Sequence, residues 1–254
     1  MGRAHDARLD RIEAYYDCVP RAVATVEEVG PFTLFVADEG TGWQFYARPR
    51  RGVRAGFTAD DVGRVLERQQ ALGVPRAIEW VDEVTPSLLP AVRATGHEPH
   101  RYPLLVMPGN VPVAADPRAR ELHPAEPHLS LALGSVSAGF AGHDEVEPKD
   151  PGKQPELMER GDLVVVASFE GNRLCGAGSA APRGDVAELM GIAVPPGHRG
   201  RGHGTAITST LVAACRERGV EVVFLSAGSD AAADIYRRVG FVDVGTACIL
   251  GLDD

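Results

Sequence analysis

The 254-residue chain has no apolar run approaching 18 residues, so nothing in it reads as a membrane-spanning helix. Its first residues, Met1-Gly-Arg-Ala-His-Asp6, lack the apolar stretch of a secretory leader. Cysteine is scarce: Cys18, Cys175, Cys215 and Cys248 stand far apart, with no C-x-x-C pair and no histidine grouping beside them at zinc-ligand spacing. That pattern predicts reduced, mostly buried thiols in a cytoplasmic protein and no metal site. His97 and His100 are three apart but flank Pro99 in a turn, a poor arrangement for a shared ion. An excess of positive charge is missing too. The formal charge is −9, with 13 Lys+Arg against 15 Asp+Glu over residues 1–107 and 13 against 20 over the rest. No broad basic surface for nucleic acid is expected.

What is present is enough chain for two compact domains of about 100–150 residues each. Leu9, Ile12 and Tyr16 recur at helical spacing, and 23–29 and 32–37 are β-rich runs broken at Gly30-Pro31. Asp38-Glu-Gly-Thr-Gly42 predicts a tight turn into a strand at 43–47. Thr58 with Asp61 reads as a capping-box start, with Val62, Val65, Leu66 and Gln69 on one face until Gly73 stops the helix. A strand at 77–81, a helix ending at Gly96 and a strand at 102–107 follow. From 108 to 127 five prolines predict a semi-rigid crossing segment, so the expected division is 1–110, a linker at 111–126, and 127–254.

The second half predicts an amphipathic helix from 129 to 140, a polar loop at 144–155 and a hairpin turning at Glu170-Gly171-Asn172. A β-run at 186–194 leads into Pro195-Pro-Gly-His-Arg-Gly-Arg-Gly-His-Gly-Thr205, then a helix. Glycines 197, 200, 202 and 204 let the backbone approach an anion, and a helix start adds free N–H groups. Arg199 and Arg201 add positive charge. A P-loop would need Lys where His203 stands, and a dinucleotide fingerprint would need Gly where Thr205 stands. The spacing that fits is Arg-x-x-Gly-x-Gly at Arg199, Gly202 and Gly204; taken alone, it also fits a glycine-rich surface turn. A strand at 220–225, a helix at 230–239 and a final β-run at 241–250 complete the order β–β–β–loop–α–β–α–β.

On these residues, the stretch 127–254 resembles the GNAT superfamily of N-acetyltransferases. The resemblance implies an α/β (α+β) fold with a mixed central sheet and flanking helices. It also implies acetyl-CoA as co-substrate, its pyrophosphate held by Arg199, Gly200, Arg201, Gly202, His203, Gly204 and Thr205. The pantetheine arm would lie along Ile192, Ala193 and Val194, with Gly191 marking a bulge. Tyr236 in Tyr-x-x-x-Gly-Phe matches the family's helix ending, which implies a general acid facing the thiol. Ser229 stands where the family often carries an Asn that contacts the cofactor, a departure that also fits a helix cap. Glu188 is the candidate general base, directly or through water, and equally fits a solvated strand edge. His198 and His203 are expected to point at the phosphates rather than the thioester. An amine acceptor, small molecule or peptide, would meet 129–160, where Asp144, Glu145 and Glu147 could receive its charge.

With no cysteine beside a base to relay the acyl group, direct attack by the amine is expected. A CoA-binding regulatory protein without transferase activity is the other reading, and a homodimer is compatible with either.

An internal echo extends the expectation to a tandem arrangement. Pro49 and Gly73, like Pro195 and Gly219, stand 24 positions apart, and after a β-run and a helix a further glycine follows, Gly96 at 23 positions and Gly240 at 21. The earlier loop keeps Gly56 in the place of Gly202 but has Val53 for Arg199 and Thr58 for Gly204, which marks the N-terminal part as a degenerate copy. Arg48, Arg50, Arg51 and Arg54 then read as a solvated or interface patch rather than a residual phosphate site, because the glycines for close approach are missing.

Overall fold

The computed structural model describes residues 7–37, 46–53 and 56–252. The chain opens with α1 (Ala7–Arg21), β1 (Ala24–Val29), β2 (Phe32–Ala37), β3 (Ala47–Pro49), α2 (Ala59–Leu72) and β4 (Ala77–Val81). There follow α3 (Leu88–Ala94), β5 (His100–Met107), β6 (Ala119–Glu121), α4 (His128–Ala141) and α5 (Gln154–Glu159). Next come β7 (Val164–Glu170), β8 (Arg173–Arg183), β9 (Val186–Ala193) and a single 3₁₀ turn, Pro196–His198. The chain closes with α6 (His203–Glu217), β10 (Val222–Ser226), α7 (Asp230–Val239) and β11 (Val242–Gly251). The fold is mixed α/β, with parallel and antiparallel pairs in both halves. Among the described residues no helix is long and apolar enough to cross a membrane. The turn and strand start expected at 38–45, and Arg54, lie outside the described residues.

Two compact units divide the chain: Met1–Leu104 with Ser226–Ser229 and Asp243–Asp254, and Leu105–Leu225 with Asp230–Val242. The division is not the linear one expected from proline content. The last strand joins the first unit, where Ala247 to Gly251 run antiparallel to Val81 back to Ala77. Cys248 and Leu250 on that strand complete a core with Trp80, Ile78, Phe32 and Leu34. Burial of apolar side chains, not nearness in sequence, decides where this strand pairs. The proline-rich stretch is likewise part of the second unit. Arg216 of α6 donates to the Pro108 carbonyl at 2.8 Å, the Asp116 N–H donates to Thr210 Oγ1, and β6 pairs with β7.

In the first unit the strands run β1-β2-β3-β4, with β11 against β4. Helix α2 forms as its sequence dictates: Thr58 and Asp61 make a reciprocal capping box, and Gly73 ends the helix at φ 65°. The same apolar stripe, Val62, Val65, Leu66 and Gln69, is buried. Arg48, expected at a solvated or interface position, is instead only 3% exposed. Its guanidinium lies 4.2 Å from the Tyr16 ring centroid and pairs with Glu13 at 3.2 Å and Glu79 at 3.6 Å. A buried charge persists only when paired, and these carboxylates supply the pairing. Burial pushes the Glu79 carboxyl up to about 7, against the pull of Arg48 and a hydrogen bond from Tyr46. Arg50 pairs with Glu28 at the surface.

In the second unit the order is β10-β9-β8-β7-β6, and only β10–β9 is parallel. Successive residues of β8 face opposite sides. Ala177 joins the core formed with Leu129 and Ala132 of α4. A Cβ at Gly178 would meet the Ile207 side chain of α6 at 3.0 Å and Ile192 at 2.7 Å. Helices α4 and α6 therefore cover opposite faces, and β8 is glycine-rich because α6 and the end of β9 press on it.

Candidate functional site

The site grows from an irregularity in β9. Opposite β8 the register moves two residues from Ala177 to Ser179 while β9 moves three, from Ala193 to Met190. The extra residue is absorbed where Gly191 takes φ 62°, the left-handed conformation glycine adopts without strain. On its other edge β9 pairs with β10 only at Val186, Ala187 and Glu188. Beyond these, among the described residues, β10 does not pair with 189–193 of β9. Ile192 and Val194 are half-buried and Ala193 is buried, so their side chains pack, and an extended ligand could add only along the edge that β10 leaves.

The strand ends in Pro195-Pro196 and the 3₁₀ turn, closed by the His198 N–H to the Pro195 carbonyl at 3.0 Å. Gly197 donates its N–H to Asp144 Oδ1 at 2.6 Å. Asp144, read from sequence as a receiver of a cationic amine, is thus engaged in holding the loop. Arg199, though exposed, is bonded back onto the protein. Its Nε donates to the Val194 carbonyl at 2.9 Å and a terminal nitrogen to the Gly139 carbonyl at 2.7 Å. The side chain shapes the loop by tying it to β9 and α4. Arg201 remains exposed and pairs with Glu170 at 3.2 Å.

Gly200 and Gly202 take φ 74° and 85°, which aims the backbone of 199–203 away from any L-residue path. Gly202 caps α6 with no side chain to accept from the first turn, and that turn carries no acidic residue. The helical ladder begins with the Ala206 N–H on the Gly202 carbonyl at 2.9 Å, so the N–H groups of His203, Gly204 and Thr205 precede it. Added Cβ atoms at Gly200 and Gly204 would meet nothing within 4 Å, which leaves open space around the turn. Free N–H groups at the positive end of a helix dipole, with open space before them, suit an anion with several oxygens.

The His203 side chain departs from expectation. It is 1% exposed and directed to Glu170, with Nε2 at 3.2 Å, so only its backbone faces the turn. His198 is buried as well, and burial, with Arg173 adding to it, holds its imidazole below the usual histidine range. The hydrogen bond from His203, with Arg201 adding, holds the Glu170 carboxyl below its ordinary value. Glu170, Cys175, His198 and His203 come together with one donor atom of each within 4.8 Å of the others, a convergence the sequence reading missed. The H-x4-H spacing of the two histidines was the available signal; the cysteine and glutamate lie on a hairpin tip that only the fold brings near. Arg118 was missed too. It donates to the Arg201 carbonyl at 2.9 Å from 83 positions away and underlies Gly202, where an added Cβ would stand 2.8 Å from it.

Tyr236 is half-buried on α7, its ring 6.1 Å edge-on from Phe241, and burial raises its hydroxyl above the ordinary tyrosine value. Glu188 is half-buried at the point where β9 and β10 are still paired, opposite Phe224. It lies five residues before Ala193, roughly 15–17 Å along the strand. Ser229 is exposed and falls in the segment that belongs to the first unit, outside the set the second unit gathers. Glu145 and Glu147 are exposed on the loop after α4.

Residues 136–241 match the model of the acetyltransferase (GNAT) family. Among solved structures, a GCN5-related N-acetyltransferase from Kribbella flavida is 22% identical over 97% of this chain and 96% of its own, at a TM-score of 0.76. A GCN5-related N-acetyltransferase-like protein from Streptococcus suis 89/1591 is 9% identical over 96% and 98%, at 0.58. A GCN5-related N-acetyltransferase from Sphaerobacter thermophilus is 14% identical over 95% and 85%, at 0.56. No curated protein matches the sequence. The bulged strand, the uncapped helix and the family match coincide on one segment: residues 136–241 are similar to the acetyltransferase (GNAT) family, in a chain that has the GNAT fold.

Proposed function

We propose that the protein transfers an acetyl group from acetyl-CoA to a primary amine. Family and fold support an acyltransferase. The observation that carries the finer reading is the run of unladdered N–H groups at the start of α6, directly after a strand whose edge is free. The pyrophosphate of CoA sits on the amides of 200–205, and the pantetheine arm extends along 192–194 towards Glu188.

In the reaction the amine nitrogen attacks the thioester carbonyl carbon, the C–S bond breaks, and the CoA thiolate leaves. Tyr236, protonated at neutral pH like any tyrosine and held more firmly so by burial, donates the proton the thiolate takes up. Glu188, directly or through water, accepts the proton the amine gives up. Arg199 orders the loop through Val194 and Gly139 rather than by meeting phosphate.

The first unit is a degenerate copy that binds no cofactor. Along the chain its β1–β2–β3–α2–β4–α3, continued by β5, repeat the order β7–β8–β9–α6–β10–α7, continued by β11. Its α2, however, starts with Thr58 already accepting the Asp61 N–H, and with Asp60 and Asp61 in the first turn. Those carboxylates repel the anion that the uncapped α6 would attract.

A thiol-release assay with acetyl-CoA across simple amines, peptides and aminoglycosides, run beside calorimetric CoA titration, tests the proposal. Turnover with at least one amine supports it. Saturable CoA binding without turnover on any acceptor would leave a CoA-dependent regulatory protein, and no heat with any CoA species would remove both.

A further inference from the structure

We propose that Glu170, Cys175, His198 and His203 form a zinc site that clips the tip of the β7–β8 hairpin to the anion-binding loop. The four donors come from four separate places: the end of β7, the start of β8, the 3₁₀ turn and the first residue of α6. Cys175, His198 and His203 are buried, and all four donor atoms lie within 4.8 Å of one another. A tetrahedral zinc with bonds of about 2.0–2.3 Å would space its ligands about 3.3–3.8 Å apart, about 1 Å inside the widest separation the four donors show. One thiolate, two imidazoles and a carboxylate are a donor set zinc favours over the harder divalent ions.

Two features argue that this is more than a polar cluster. The Nδ1 atoms of both His198 and His203 are buried with no hydrogen-bond partner, an omission rare for buried polar groups. The internal bonding is also sparse: His203 Nε2 meets Glu170 at 3.2 Å, and the Cys175 thiol rests on the Arg173 carbonyl at 3.3 Å. A zinc ion takes the thiolate and one nitrogen of each imidazole. With Cys175 and Glu170 both anionic, the +2 charge is matched. Glu170 keeps an oxygen for Arg201.

The consequence concerns the loop. His198 and His203 bracket Arg199 to Gly202, the stretch that carries the left-handed glycines. Fixing both ends to the hairpin would hold the amides of 200–205 in place before any ligand arrives, as preorganised sites require.

The test uses the whole chain, reduced and stripped of metal by chelator, with no coenzyme A present, so it stands apart from the transferase reading. Zn²⁺ is added, excess is removed, and bound metal is measured by elemental analysis; Co²⁺ is titrated in parallel and followed by absorption. About one zinc per chain is expected, with a sulfur-to-cobalt charge-transfer band and tetrahedral ligand-field bands. Cys175→Ser should abolish the charge-transfer band, and Cys175→Ser with His198→Gln should reduce retained zinc about tenfold or more. Retention below about one-tenth of an equivalent by the unaltered chain, or equal retention by the double variant, overturns the proposal. Should the double variant fail to fold, by circular dichroism, the cobalt spectrum of the unaltered chain decides, and absence of the sulfur band overturns it.

Discussion

The guanidinium of Arg199 donates to the Gly139 carbonyl at 2.7 Å across 60 positions of sequence, and its Nε holds the Val194 carbonyl at 2.9 Å. The arginine of the Arg-x-x-Gly-x-Gly signature thereby joins the end of α4, the end of β9 and the start of the glycine-rich loop. Gly139 is a glycine because α4 rests directly on that strand end: an added Cβ would stand 2.8 Å from Ala193 Cβ.

Arg199→Ala should therefore act through loop order. Losing two charge-assisted bonds to carbonyls costs about 1–3 kcal/mol of stability. CoA affinity should fall about tenfold, the equivalent of about 1.4 kcal/mol. Thermal melting and calorimetry check both. Arg199→Lys, which cannot span both carbonyls with a planar fork, should rescue neither fully.

Gly202→Ala should remove CoA binding more completely. The substitution forces an L-residue into φ 85°, at a cost of about 1–2 kcal/mol, and sets a methyl 2.8 Å from the Arg118 guanidinium. Gly204→Ala is the control: its Cβ meets nothing and it lies in the helix, so the fold should be unaffected. Equal melting temperatures for the two variants would contradict this account of the turn.

Tyr236→Phe should lower kcat on the order of 100-fold while the Kd for CoA stays within about twofold. An ordinary tyrosine is already protonated through the neutral range and burial raises this hydroxyl further, so the unaltered protein should lose no activity to its titration in that range. A variant that binds CoA poorly yet turns over normally would reassign the residue to cofactor packing.

Glu79 makes a prediction about stability. Its folded pKa of about 7 lies above the ordinary 4.5, so the folded chain holds a proton the unfolded chain has released. Its contribution is fully present below about pH 4.5 and is lost as pH rises through 7, by at most about 3 kcal/mol. Glu79→Gln should flatten the dependence of denaturant midpoint on pH across that window. An unchanged slope would place the titration elsewhere.

The local chemistry of the chain determined its elements and the position of its loop. The period of Val62, Val65, Leu66 and Gln69, the Thr58 cap, the Glu170-Gly171-Asn172 turn and the glycines of 197–204 each act within a few residues. Local sterics and hydrogen bonding suffice to read them, and Gly191 carries the bulge expected of it. What the tertiary structure decided are the partnerships over distance. Asp144 goes to Gly197, Arg199 to Gly139 and Arg118 to Arg201; Arg48 is buried between Glu13 and Glu79, and β11 lies against β4. Cys175 meets His198 and His203 for the same reason. Apolar burial decides where β11 pairs, and each polar partnership depends on which groups the closed sheets bring within reach of one another, information that no window of neighbouring residues carries.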